Sequence, residues 1–285
     1  ALFLLLDSKE ALYGGAAGGG KSDALLMEAL KYVNVPRYSA IIFRRSYADL
    51  CKAGALIDRS HEWLGGTDAV WEGQNHTWVF PSTAKLSFGY LENDRDVYHH
   101  QSAEYQFEGF DELTQFGEFQ YRYMSSRLRR LINSHVPLRQ WSASNPGNTG
   151  HDWVKQWFMV EGLDNGRVFI PSKLQENPYL DQKTYIESLM NLDPITRRQY
   201  LDGDWTAKHG GSIFQREWFT IVDAYPQDCK IVRYWDKAAT KPKSTNKDPD
   251  YTVGVKLGET RGIYYIIDIK RIRGNPAETE ALIKQ

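Results

Sequence analysis

Cysteine is nearly absent: Cys51 and Cys229 are the only two in 285 residues. They lie far apart, with no Cys or His at ligand spacing, which argues against a disulfide framework or a zinc site and points to a reducing cytosol. Long apolar runs are missing too. Ala1 to Leu6 is apolar, but Asp7 ends it far short of the roughly 20 residues that span a bilayer. No basic segment precedes it, so neither a signal peptide nor a membrane anchor is expected. The chain also lacks an excess of either charge, with 35 Lys and Arg against 36 Asp and Glu. Any contact with nucleic acid must therefore come from local basic patches and not from a global positive field. No internal repeat or low-complexity segment is evident.

The composition, 41% hydrophobic and 25% charged, suffices for one large or two smaller domains with a sizeable core. The sequence starts at Ala1 and stops at Gln285 inside an apparent helix, so both ends are expected to be cut. Glu10 to Tyr13 has the character of a short strand, a glycine-dense loop follows, and Ala24 to Val33 has helical spacing. Ala40 to Phe43 is a continuous apolar run typical of a strand buried on both faces. Tyr47 to Leu64 is expected to be helical with a soft spot at Gly54. Thr77 to Phe80 and Lys85 to Phe88 predict an inserted hairpin. Strands are expected at Tyr105 to Phe110 and Leu138 to Ala143, with a helix across Glu118 to Arg130 between them. Further helices are predicted at His151 to Val160, Asp181 to Leu189 and Pro194 to Leu201. This alternation implies an α/β fold with a parallel sheet and crossover helices. After Gly203-Asp204-Trp205 the texture changes, and three β-rich stretches follow at Ile231 to Trp235, Tyr251 to Leu257 and Ile263 to Ile269. A domain boundary is placed near residue 206.

Gly15-Ala16-Ala17-Gly18-Gly19-Gly20-Lys21-Ser22 matches the phosphate-binding loop pattern, in the strand-to-helix context its mechanism requires. Glycines let backbone N–H groups turn onto phosphates, and the following helix adds its dipole. Lys21 would contact the β and γ phosphates of ATP, and Ser22 would ligate Mg²⁺. The alternative is a flexible glycine loop with no ligand. A hydrolase also needs acidic groups at the end of a neighbouring strand. Asp111 would hold Mg²⁺ there and Glu112 would position the attacking water, although Gln106 and Glu108 make that strand unusually polar, and the acidic pair alone could be an ordinary strand end. Ser144 and Asn145, before Pro146-Gly147, could sense the γ-phosphate or simply build a turn.

Taken in order, the phosphate loop, Phe110-Asp111-Glu112-Leu113-Thr114, Ser126-Arg127-Leu128-Arg129, Ser144-Asn145-Pro146-Gly147, Gly203-Asp204-Trp205 and Arg233-Tyr234-Trp235-Asp236 resemble the motifs of tailed-phage terminase large subunits. The resemblance covers essentially the whole chain. It implies an ASCE-type P-loop NTPase domain over residues 1–205 that drives double-stranded DNA into a procapsid. It further implies that residues 206–285 form a linker and the incomplete start of an RNase H-like nuclease that cuts concatemeric DNA. The partners it implies are the portal protein of the procapsid, the small terminase subunit and further copies in a homo-oligomeric ring. The place implied is the host-cell cytoplasm, with transient docking on the procapsid. Ser144 and Asn145 fall in the segment that couples hydrolysis to DNA movement in that family. Asp236 matches the first metal-binding aspartate of its nuclease, which uses Mg²⁺ or Mn²⁺. Such a site needs several carboxylates around two ions, and Asp248, Asp250 and Asp268 are not expected to complete it.

Two departures stand out. An Arg-Gly pair often lies eleven residues before the catalytic glutamate in that family, where this chain has Gln101-Ser102. Arg127 and Arg129 are the candidate replacement fingers, reaching a neighbouring subunit's nucleotide, or else they form a solvated or DNA-facing helix surface. The adenine-contacting segment of the family would precede Ala1. Arg44-Arg45, Arg122, Arg130, Lys237, Lys241, Lys243 and Lys270 to Arg273 could touch DNA only if they share a face. Another DNA-dependent P-loop ATPase, such as a helicase or recombination ATPase, remains open on these residues. A small-molecule kinase lacks support for want of an arginine-rich lid, and intact Lys21, Ser22, Asp111 and Glu112 argue against a purely structural ATP-binding module.

Overall fold

The structure is a computed structural model that describes residues 2–130, 132–208, 219–238 and 250–284. These fall into two compact units, 1–209 and 210–285.

In the first unit β1 (Glu10–Gly15) enters the glycine loop, which opens α1 (Lys21–Leu30). β2 (Ser39–Arg44) is followed by α2 (Tyr47–Leu50) and α3 (Leu56–Leu64), separated where Gly54 takes a φ of 71°. The expected single helix is therefore two, because that backbone is left-handed and cannot continue a helix. Next come β3 (Val70–Glu72), β4 (Thr77–Val79), β5 (Lys85–Tyr90) and β6 (Phe107–Asp111). α4 (Glu118–Ser125), β7 (Arg139–Ser144) and α5 (His151–Lys155) follow, α5 running on into a π-helical turn at Gln156–Val160. β8 (Arg167–Ser172), α6 (Gln182–Leu189) and α7 (Pro194–Arg197) complete the unit, the last leading into a π-helical turn at Arg198–Asp202.

The sheet order is β3-β4-β5-β2-β6-β7-β1-β8. All pairings from β5 to β8 are parallel, and only the β3–β4 and β4–β5 pairings at one edge are antiparallel. The β4–β5 hairpin is thus no insertion: β5 is a strand of the main sheet, paired to β2. β8 carries Pro171, which cannot donate to a ladder and hides the strand in the sequence, yet an edge position tolerates it. The helix expected to run to Arg130 stops at Ser125, where the Ser126 hydroxyl bonds back to the Tyr123 carbonyl at 2.6 Å. Residues 127–129 instead bridge Tyr105, two residues before β6.

Two apolar layers sandwich the sheet. One contains Leu25, Ala29, Ile42, Phe107 and Trp141; the other contains Ile41, Phe110, Tyr121, Phe158 and Trp205. Alternate residues of β2 and β6 feed both layers, as strands covered on both faces must. The polar strand residues are paired and buried: Gln140 Nε2 lies 3.2 Å from Glu108 Oε2, and both side chains are fully enclosed.

The second unit holds an antiparallel sheet ordered β11-β10-β9, from β9 (Lys230–Asp236), β10 (Thr252–Thr260) and β11 (Ile263–Ile272), then α8 (Pro276–Ile283). Val232, Tyr234, Ile266 and Ile269 are exposed on it. Among the described residues no helix is long and apolar enough to cross a membrane.

Candidate active site

Parallel strands present their C-terminal ends at one edge, and ligands of open α/β sheets bind there. β1, β2, β6 and β7 deliver the glycine loop, Arg44, Asp111-Glu112 and Ser144-Asn145 to that edge. The loop is fixed from outside. Ala16 N–H donates to the Ser172 carbonyl at 2.9 Å, Ala17 N–H to the Tyr200 carbonyl at 2.7 Å, and Asn177 Nδ2 to the Gly18 carbonyl at 2.7 Å. Gly203 has a φ of 65°, and a Cβ there would lie 2.5 Å from Ala16 N. Gly18 and Gly20 are left-handed, turning the loop into the first turn of α1.

Lys21 is buried, and its Nζ donates to the Ala16 carbonyl at 2.5 Å. Burial lowers its pKa to about 8, against the pull of Glu112 and Asp111. Ser22 Oγ donates to Asp111 Oδ1 at 2.8 Å, and Arg44 Nε lies 2.7 Å from Asp111 Oδ2. Asp111 Oδ2 is buried without a directed hydrogen bond, and with the Ser22 hydroxyl it offers the hard oxygen donors that a hydrated Mg²⁺ takes. Glu112 adopts a left-handed φ of 58°, rare for a residue with a side chain and concentrated at functional sites. Burial and the neighbouring Asp111 raise its carboxyl pKa, while Lys21, Arg44 and the Asn145 N–H draw it down.

Ser144 and Asn145 connect to this acidic pair through Thr114. Thr114 N–H donates to Ser144 Oγ at 3.1 Å, and the two hydroxyls lie 3.0 Å apart. Ser144 thus braces the turn after Glu112, and Asn145 meets the glutamate through its backbone. Further along, Gly147 N–H donates to His151 Nδ1 at 2.9 Å, and His151 Nε2 lies 3.2 Å from the Trp205 carbonyl. One imidazole therefore joins the loop after β7 to the Gly203-Asp204-Trp205 motif.

The other candidates lie elsewhere. Arg127 and Arg129 flank Leu128, which bridges Tyr105. Asp111 lies six steps of extended chain beyond Tyr105, about 20 Å. Arg127 bonds the Gln101 carbonyl and covers the Tyr123 ring, and Arg129 bonds the Ala103 carbonyl at 2.9 Å. Within one chain neither arginine reaches the glycine loop. Asp236 ends β9, exposed, in a rung with Val253 and Arg271. Asp268 sits in a different rung with Lys256 and Arg233, on the other face, and is ion-paired to Arg233. Asp250 is exposed, and Asp248, Lys241 and Lys243 lie outside the described residues. Among the described residues no three His, Cys, Asp or Glu side chains converge as a metal site. Sequence reasoning missed Arg44 as a partner of Asp111, and its signal was a charged residue ending an apolar strand. Thr114 was noted only as the end of the Phe110-Asp111-Glu112-Leu113-Thr114 motif, without a role, and Ser172 and Asn177 were missed without any comparable signal.

A family model described as "Terminase large subunit, T4likevirus-type, N-terminal" matches residues 12–221. The chain belongs to the terminase large subunit family. It is an ATPase of that family, with the α/β parallel-sheet fold of its ATPase domain. Among solved structures, the large terminase of a thermophilic bacteriophage matches with a TM-score of 0.59 and 13% identity, over 98% of this chain and 68% of that one. Another crystal form of the same phage terminase, in complex with ADP, gives a TM-score of 0.56 at 14% identity over 98% and 69% of the two chains. The HK97 bacteriophage large terminase gives 0.52 at 12% identity, over 93% of this chain and 59% of that one. At such identity these terminases share the fold. Among curated proteins nothing matches.

Proposed function

We propose that this terminase couples ATP hydrolysis at the glycine loop to movement of double-stranded DNA into a procapsid. The observation that carries the reading is the convergence of Lys21, Ser22, Asp111 and Glu112 at one edge of a parallel sheet. The loop N–H groups and Lys21 bind and orient the phosphates. Because a buried Lys21 is costly to keep charged alone, phosphate oxygens are better partners for it than the Ala16 carbonyl. Ser22 and Asp111 hold Mg²⁺, which when bound neutralises charge on the phosphates. Glu112, aimed by its left-handed backbone, holds the attacking water. Asn145 and Ser144, tied to Glu112 and Thr114, transmit the state of that carboxylate to the loop after β7.

The packaging role brings the portal protein, the small terminase subunit and a homo-oligomeric ring as partners, in the host-cell cytoplasm. Any phosphate contact by Arg127 or Arg129 is then to a neighbouring subunit's nucleotide. Residues 206–285 contribute Asp236 to an RNase H-like nuclease whose remaining carboxylates are not among the described residues. Steady-state ATP turnover with and without double-stranded DNA, with Lys21→Ala as control, tests the reading. Turnover that depends on Lys21 and rises with DNA is expected; turnover unaffected by Lys21→Ala would refute it.

A further inference from the structure

Arg44 ends β2, the neighbour of β6, so it leaves the sheet at the same edge as Asp111 and Glu112. Its Nε pairs with Asp111 Oδ2 at 2.7 Å, off the axis of a directed hydrogen bond. Among the described residues its two terminal nitrogens make no hydrogen bond. The arginine side chain is 18% exposed against 1% for Asp111, so it is covered but not sealed. Its charge also reaches Glu112.

Neutralising Asp111 is one use for such a residue, but it falls short of the arrangement. Ser22 already donates to the other carboxylate oxygen. A divalent ion drawn to Asp111 would supply the same positive charge, and two cations on one carboxylate repel each other. A guanidinium displaced from Asp111 keeps a planar fork of N–H groups suited to phosphoryl oxygens. Charge on the transferring phosphoryl is what a hydrolytic arginine stabilises. Arg127 and Arg129, at the far end of β6, do not provide this within the chain.

We propose that Arg44 is the arginine this chain supplies to its own hydrolytic site: Asp111 holds it while the site is free, and ATP binding transfers its terminal N–H groups to the γ-phosphoryl oxygens. The assignment rests on the ATPase reading above. No bond is made or broken by the arginine, which moves from one anion to another.

The test is calorimetric binding of ADP, and of ADP with aluminium fluoride as a mimic of the transferring phosphoryl, to wild type, Arg44→Ala and Arg44→Lys. Thermal melts accompany each variant. ADP affinity is expected to stay within about threefold in both variants, with affinity for the mimic lowered about tenfold or more, since lysine keeps the charge but loses the fork. Undiminished mimic binding by Arg44→Lys would show that neutralising Asp111 is all the position does, and would overturn the proposal. Undiminished binding by Arg44→Ala would do the same. If Arg44→Ala fails to fold, the lysine variant decides alone. A wild type that binds ADP no better than Lys21→Ala would sink the ATPase reading itself, and this proposal with it.

Discussion

Gly203 and Gly166 form a matched pair of perturbations. Both are left-handed, with φ of 65° and 67°, so replacing either with alanine carries a similar backbone strain of roughly 1–2 kcal/mol. Their surroundings differ. A Cβ at Gly166 meets nothing within 4 Å, whereas at Gly203 it lies 2.5 Å from Ala16 N and 2.8 Å from Gly15 C and Cα. Those atoms are backbone of the glycine loop, which cannot rotate aside as a side chain can. Either the Gly203 turn or the loop must shift by several tenths of an ångström, and the loop is already anchored to Ser172 and Tyr200. Gly166→Ala should lower the melting temperature by about 2–8 °C, from the strain and the size of the unit, while leaving ATP affinity unchanged. Gly203→Ala should melt lower still and bind ATP about tenfold or more weakly, since a misplaced phosphate cradle loses several N–H contacts at once. Differential scanning fluorimetry with and without nucleotide reads both quantities. Equal melting and equal nucleotide-induced stabilisation in the two variants would refute the claim that the Gly203 turn holds the loop in place.

Glu112→Gln should bind ATP normally but turn it over about 10² times more slowly or worse, because the phosphate cradle stays while water orientation is lost; wild-type turnover would remove Glu112 from that role. Burial raises the Glu108 carboxyl well above its usual value of 4.5, so the folded chain holds a proton there that the unfolded chain releases. Its contribution to stability is therefore full below that value and declines as pH rises, by about 1.4 kcal/mol per unit until the folded pKa is passed. Glu108→Gln, always neutral and able to pair with Gln140, should be more resistant to urea than wild type at pH 8 and show a smaller difference at pH 5. Parallel pH profiles for the two proteins would contradict this. Finally, these 285 residues should leave supercoiled plasmid intact with Mg²⁺ or Mn²⁺, since Asp236 and Asp268 occupy different faces of their sheet. Cutting that vanishes in Asp236→Ala would show that the carboxylates converge after all.

Much of the nucleotide site is legible in the linear chain because its chemistry is local. A phosphate cradle needs glycines, a lysine and a serine within eight consecutive positions, between a strand and a helix. Asp111 and Glu112 close a strand made unusually polar by Gln106 and Glu108, and it is the phosphate loop upstream that gives the pair its place at the sheet edge. The strand and helix alternation announces an α/β fold for a similar reason, as periodicity is a property of neighbours along the chain. Reading failed where non-neighbours compete. Arg127 and Arg129 have good helical spacing, but pairing with Tyr105 takes that segment out of the helix and sets it about 20 Å from Asp111. Pro171 disguised a strand that an edge position accepts.

From sequence alone, the phosphate loop in its strand-to-helix context points to a nucleotide-handling α/β protein, and the acidic pair gains its meaning only beside that loop. Tertiary structure decided which groups meet. The pairing of β2 with β6 brings Arg44 to Asp111, and Ser144 is set against Thr114 behind Glu112. The register of β10 with β11 turns Asp268 away from Asp236. Strand order and register rest on the packing of residues remote in the chain, which no local spacing encodes.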